Sequence, residues 1–196
     1  QPERTTLPDG GEYYDILRVL GILSSVLPEG WKIIYKEHPS IFNWPGEIFY
    51  RGHLFRNEEF FCTLSKFDQV VCVDSAYDTF ELIDNAEAVC CITGTIAYQS
   101  SIRGVKSIIF GNSWMSDCEL IHKFKSRDEL HRFLNVPSVD NYIDRVGIWA
   151  NFLAECWCSS FPDVDLLSSD TNKEEYVACL VKFLTDHHLI NSKMKI

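Results

Sequence analysis

The sequence is poor in the features that mark membrane proteins, nucleic-acid binders and metal-stapled modules. Across 196 residues no apolar run approaches the roughly 20 needed to cross a bilayer. The opening QPERTTLPDGG has the pattern of neither a signal nor a transit peptide. Basic residues are few, 18 Lys+Arg against 28 Asp+Glu for a net charge of −10, which argues against bulk binding to nucleic acid or anionic lipid. None of the eight cysteines belongs to a C-x-x-C pair, the nearest neighbours being the adjacent Cys90-Cys91 and Cys156-Trp157-Cys158, so neither a zinc ribbon nor a thioredoxin-type motif fits. Walker (GxxxxGK[ST]), dinucleotide (GxGxxG) and hydrolase-elbow (GxSxG) motifs are missing, as is any HxxxH or carboxylate-rich metal spacing. No metal and no cofactor are therefore expected. Internal repeats and low-complexity tracts are absent as well.

What is there suffices for a folded unit. With 46% apolar and 13% aromatic residues the chain can bury a full core, and its length suits one domain. The cysteines lie within apolar runs (Cys72 in QVVCVD, Cys90 and Cys91 in AVCCIT, Cys179 in YVACLVKFL), where a thiol behaves as a small hydrophobe in a reducing compartment. The start at Gln1, without Met, reads as part of something longer.

Four short apolar runs read as strands: Lys32–Lys36, Gln69–Val73, Ala88–Thr93 and Ser107–Phe110. Nearly continuous apolar character suits strands covered on both faces, as in a parallel sheet. Helical periodicity lies between them, over Tyr13–Leu27, Glu58–Phe67, Thr79–Ala86 and Ile96–Arg103, the last closing at Gly104. Alternating strand and helix predicts an α/β, Rossmann-like open, mainly parallel sheet with helices on both faces. Beyond Gly111, Ser126–Glu129 reads as a capping box for a helix to Leu134, and Ile143–Phe161 as a longer amphipathic helix. Thr171–Glu174 reads as a second capping box, opening a last helix to about Leu189 after the polar connector Pro162–Asp170. The expected organisation is a single domain over 1–196, with a sheet core in 1–140 and helical cover in 141–196.

Ligands of open parallel sheets bind beyond the carboxyl ends of the strands. The four ends carry Glu37-His38-Pro39-Ser40, Asp74-Ser75, Thr93-Gly94-Thr95 and Gly111-Asn112-Ser113-Trp114. The third leads straight into a helix, where unpaired N–H groups and two hydroxyls suit a phosphate and Gly94 permits close approach. The alternative is that Thr95 merely caps that helix. His38, held out of helical geometry by Pro39, could donate to a phosphate oxygen; the alternative is an ordinary strand-end histidine. His122, His131, His187 and His188 read as solvent-facing residues in or near helices, and His53 as a loop residue.

KIIYKEHPS, followed by DNAEAVCCITGTIAYQSSIRGVKSIIFGNSWM, resembles the capsular polysaccharide biosynthesis glycosyltransferases, the group that includes bacterial Kdo transferases. The resemblance covers roughly residues 1–115 and implies the C-terminal half of a GT-B enzyme, a two-domain architecture with a cleft between Rossmann-like halves, the N-terminal partner domain lying outside this chain. It matches His38 and Pro39 to a motif associated with the nucleotide-sugar phosphate, with Lys36 and Glu37 beside them. Thr93, Gly94 and Thr95 match the phosphate-contacting turn. Gln99 stands where the family has a Glu that often contacts ribose, and Lys106 where it has Pro. Glu3, in the QPE opening, is matched to a role nearer the sugar.

The resemblance thus implies a nucleotide-sugar donor, CMP-activated Kdo or a related sugar, with a glycolipid or oligosaccharide acceptor held by the missing half. It implies work in the cytoplasm at the inner face of the cell membrane, with peripheral association at most. His38 and the Thr93–Thr95 turn would hold the leaving phosphate without a metal. No general base is evident, so the chain alone is expected to bind nucleotide and transfer little sugar. Two other readings stand beside this one: a UDP-sugar enzyme of the UDP-N-acetylglucosamine 2-epimerase type on the same scaffold, and a non-catalytic nucleotide-binding module.

Overall fold

A computed structural model describes residues 8–38, 56–137, 142–160, 177–178 and 181–182. Five short strands form two parallel sheets. β1 (Ile33–Lys36) pairs with β2 (Val70–Val73), Ile34 lying opposite Val71. β3 (Ala88–Cys91), β4 (Lys106–Ile109) and β5 (Ile121–Lys123) form a three-stranded sheet with β4 in the middle. Helices join them: α1 (Ile16–Val26), α2 (Glu58–Leu64), α3 (Thr79–Asp84), α4 (Ile96–Ile102), α5 (Arg127–Asn135) and α6 (Tyr142–Ser160). The chain is thus an α/β protein of Rossmann-like layout, built from parallel sheets as the strand–helix alternation predicts.

Capping chemistry sets most of the helix starts. The Asp15 carboxylate accepts from the Leu17 N–H at 3.0 Å, so α1 begins at Ile16 rather than Tyr13, and Gly11–Tyr13 forms a separate 3-10 turn. Asn57, Asp78 and Ser126 accept from the N–H groups of Phe60, Glu81 and Glu129 at the heads of α2, α3 and α5. At the other end of α4 the Val105 N–H reaches the Ser100 carbonyl and the Gly104 N–H that of Ser101, a Schellman motif. Gly104 sits at φ +86°, and a Cβ there would lie 2.9 Å from the buried Arg145 guanidinium. That close approach seats α6 against the end of α4.

Side chains of β4 alternate between two cores, as strand geometry requires. Ile108, with Phe110 just beyond the strand, packs with Val19, Ile22, Leu23 and Val26 of α1 and with Leu130 and Leu134 of α5. Ile109 points the other way, into a core with Ala97 and Ile102 of α4 and Val146 and Trp149 of α6. Ser107 shares that second face, its Oγ 2.6 Å from Ser100 Oγ, so a buried polar pair is satisfied internally. Trp149 is wholly buried and donates its indole N–H to Ser101 Oγ at 3.0 Å. Helices therefore cover both faces of the three-stranded sheet. β1 joins the α1 side of the structure through Ile33, which packs on the same core as Ala88 and Cys90 of β3.

Several expectations change. β5 has no counterpart in the sequence reading, because Ile121–Lys123 is three residues long and only one of them is apolar. His122 therefore lies on a strand, half-buried and stacked on Phe133 with ring centroids 4.2 Å apart, instead of facing solvent. His131 is exposed on α5, as expected of it, and its Nδ1 donates to the Val26 carbonyl at 3.0 Å, tying α5 to the end of α1. Cys72 is exposed despite its apolar surroundings in sequence, and so is Val71 beside it on the opposite face of β2. Cys62, Cys72, Cys90, Cys91 and Cys118 are free thiols, and burial pushes Cys91 up to about 12 and Cys118 up to about 11. The connector Pro162–Asp170 and the capping box Thr171–Glu174 lie outside the described residues, although 177–178 and 181–182 are helical.

Candidate functional site

At the carboxyl end of β1 the chain continues as Glu37 and His38. The Glu37 carboxylate accepts from the Tyr35 hydroxyl and from Arg56 Nε, and its side chain is only 10% exposed. Arg56 in turn lies over the Phe60 ring, 4.3 Å from its centroid. Burial first, and the neighbouring Glu37 second, push the Tyr35 phenol up, so it stays protonated as a donor. Glu37 is therefore committed to holding the strand end in shape. Lys36 is half-buried as the last residue of β1, and His38 beyond it is exposed. Pro39 and Glu3 lie outside the described residues.

At the end of β3 the turn Thr93-Gly94-Thr95 leads into α4. Thr95 is exposed, and its hydroxyl makes no capping bond, because its own backbone is already helical at φ −63° and ψ −9°. The capping role offered as an alternative for Thr95 is therefore not filled. Among the described residues beyond its chain neighbours, no atom comes closer than 3.7 Å to a Cβ built on Gly94, so the described fold does not demand glycine there. Gln99 follows one turn later, half-buried, its N–H bonded to the Thr95 carbonyl at 3.1 Å. With seven residues, α4 is too short to concentrate much dipole at its start.

The end of β4 closes against this turn. Gly111 donates to the Ile92 carbonyl at 2.8 Å, and Asn112 donates to the Asp9 carbonyl at 2.7 Å. A Cβ on Gly111 would stand 2.6 Å from Asp9 O and 2.7 Å from Thr93 Cγ2. Glycine is thus required where β3, β4 and the turn before α1 meet. From β5, Lys123 donates through Nζ to Asn112 Oδ1 at 2.6 Å and adds an ammonium to the same edge. At the end of β2, by contrast, Asp74 bonds the Ala76 N–H at 2.7 Å and forms a local turn.

The structure thus gathers Thr93, Gly94, Thr95 and Gln99 into one turn and helix start, and groups Lys36, Glu37 and His38 at the end of another strand. α1 packs against both strands. Lys106, at the position matched to a family proline, caps the last turn of α5 by donating to the Leu134 carbonyl at 2.7 Å, and burial lowers its pKa. Sequence reasoning missed Lys123 because β5 was missed, and Arg56 because nothing local links it to Glu37, 19 residues away. Among the described residues no group of three or more His, Cys, Asp or Glu side chains is placed to hold a metal, and no helix is long and apolar enough to cross a membrane. Comparison of the chain with family models, with curated proteins and with solved structures finds no match.

Proposed function

We propose that this chain is the donor-binding half of a glycosyltransferase of surface polysaccharide synthesis, taking a CMP-activated sugar such as Kdo or a relative of it. The observation that carries the reading is the carboxyl edge of the three-stranded parallel sheet. There an exposed Thr95 hydroxyl that caps nothing, the Thr93–Gly94 backbone, Asn112 and the Lys123 ammonium gather on consecutive strand ends. Hydroxyls and one cation suit a phosphate diester better than an apolar or cationic ligand. His38, at the end of β1, supplies an exposed imidazole from a second strand end.

In sugar transfer the bond between the anomeric carbon and the phosphate oxygen breaks, and the leaving phosphate keeps the electron pair. Groups already aimed at that phosphate stabilise the developing charge without reorganising. Thr93, Thr95 and Lys123 would do so here, with His38 donating a proton or a hydrogen bond. Glu37, held by Tyr35 and Arg56, would position His38 rather than touch the donor. The acceptor and the general base would come from a partner half, at the cytoplasmic face of the membrane.

Calorimetric titration of the chain with CMP and with UDP tests the reading. CMP is expected to bind more tightly, and Thr95→Val and His38→Ala to weaken it about tenfold each, the equivalent of ~1.4 kcal/mol. The Thr95 hydroxyl caps nothing, so Thr95→Val should leave unfolding unchanged. A clear preference for UDP would move the chain to the 2-epimerase reading, and failure to bind either nucleotide would overturn the proposal.

A further inference from the structure

Trp114 follows the end of β4 in the loop Gly111-Asn112-Ser113-Trp114, and half of its surface is open to solvent. Three aromatic rings hold it from behind. Tyr98 lies 6.2 Å away between centroids, the wholly buried Trp149 6.0 Å, and Phe152 6.3 Å at an interplanar angle of 29°. Tyr98 itself meets Trp149 edge-on at 4.6 Å, so the group is one packed cluster with a single indole turned outward. Such an arrangement fixes the plane of the exposed ring before any ligand arrives. That preorganisation reduces the entropy lost when another ring stacks on it.

The cluster adjoins the phosphate-type edge by two routes. Tyr98 is three residues beyond Thr95 on α4, less than one turn up the helix. Gly111, three residues before Trp114, is close enough to Thr93 that a Cβ would collide with it. The indole is therefore linked to the turn that carries Thr93 and Thr95 through Tyr98 on α4 and through the Gly111 loop. On the far side the Lys123–Asn112 pair borders the same loop.

We propose that Trp114 is the stacking platform for the pyrimidine ring of the nucleotide, with Tyr98, Trp149 and Phe152 fixing its orientation. The inference rests on the reading of this edge as a nucleotide phosphate site and adds the residue that recognises the base. A planar heterocycle suits an indole that offers one open side and no nearby charged side chain among its ring partners. Stacking of a base on an aromatic side chain is worth ~1–3 kcal/mol, so its removal should weaken binding by about ten-fold or more.

The experiment titrates the full chain and its Trp114→Leu and Trp114→Phe variants with CMP and with ribose 5-phosphate, which has the sugar and phosphate but no base. The expected result is a loss of about tenfold or more in CMP affinity for W114L, little loss for W114F, and no change for ribose 5-phosphate in either. Equal CMP affinity of W114L and the parent chain would overturn the assignment while leaving the phosphate site intact. An equal loss for CMP and ribose 5-phosphate would also overturn it, since Trp114 would then only shape the loop. If the parent chain binds neither compound, the functional reading fails and this inference fails with it. Near-ultraviolet circular dichroism of W114F checks that the aromatic cluster has kept its packing.

Discussion

Gly111→Ala and Gly94→Ala change the same atom count at neighbouring turns, and the structure assigns them opposite outcomes. At Gly111 the new methyl would sit 2.6 Å from Asp9 O, 2.7 Å from Thr93 Cγ2 and 3.1 Å from Ile92 Cγ2. Carbon atoms are comfortable at about 3.5–4.0 Å, so the turn holding Thr93 and the segment holding Asp9 must move apart by close to an ångström. That movement stretches the Gly111–Ile92 and Asn112–Asp9 hydrogen bonds, 2.8 and 2.7 Å long. Overpacking costs about 1–3 kcal/mol, and each weakened backbone bond contributes up to ~1 kcal/mol more. A destabilisation of about 3 kcal/mol is expected, together with weaker CMP binding as Thr93 is displaced. Gly94→Ala meets nothing nearer than 3.7 Å and should change stability by less than ~0.5 kcal/mol. Thr93→Ser removes one of the two worst contacts and should restore about 1 kcal/mol to Gly111→Ala. Equilibrium urea unfolding followed by far-ultraviolet circular dichroism measures all four variants. The packing argument is refuted if Gly111→Ala unfolds within ~0.5 kcal/mol of the parent chain, or if Gly94→Ala proves the more damaging.

Two further predictions use the same assay. Arg103, 6% exposed, meets Asp84, 22% exposed, through two bonds of 2.8 Å, with the Phe80 ring beneath the guanidinium. Asp84→Ala should cost about 3 kcal/mol by depriving a buried cation of its carboxylate. Arg103→Met combined with Asp84→Leu should cost less than that single change, and a loss under ~1 kcal/mol for Asp84→Ala would contradict this. Burial, more than the opposing pull of Glu129, lowers the pKa of His122, and its Nε2 has no hydrogen-bond partner among the described residues. The folded state then binds fewer protons than the unfolded chain, so stability is present above the unfolded value near 6.5 and falls as pH drops below it. His122→Gln should flatten that fall between pH 7 and 5, and parallel profiles for the two proteins would rule His122 out as its source.

Strands were legible in the sequence where apolar residues ran together, and helices where a cap preceded them. Ser126, followed three residues later by Glu129, announced α5 because the capping bond is local. Gly104 could be read as a helix stop because only local backbone geometry was at issue. β5 escaped because burial of its residues depends on β4 beside it: Ile121 pairs with Ser107, which lies far back in the chain. Without β5, Lys123 could not be placed at the carboxyl edge. His122 was misjudged for the same reason, its partner Phe133 being brought near by packing.

The sequence alone determined the α/β alternation, the polar strand ends and the residue types offered there, since hydrophobic period, capping and turn chemistry act over a few neighbours. Tertiary structure decided which of those residues remain available. It consumed Glu37 in an ion pair with Arg56, released Thr95 from capping, made Gly111 indispensable and Gly94 optional, and set Trp114 outward on a base of buried rings. The ion pair at Glu37, the crowding at Gly111 and the buried rings under Trp114 each depend on a contact between segments distant along the chain, and the energy of such a contact exists only once the chain has folded.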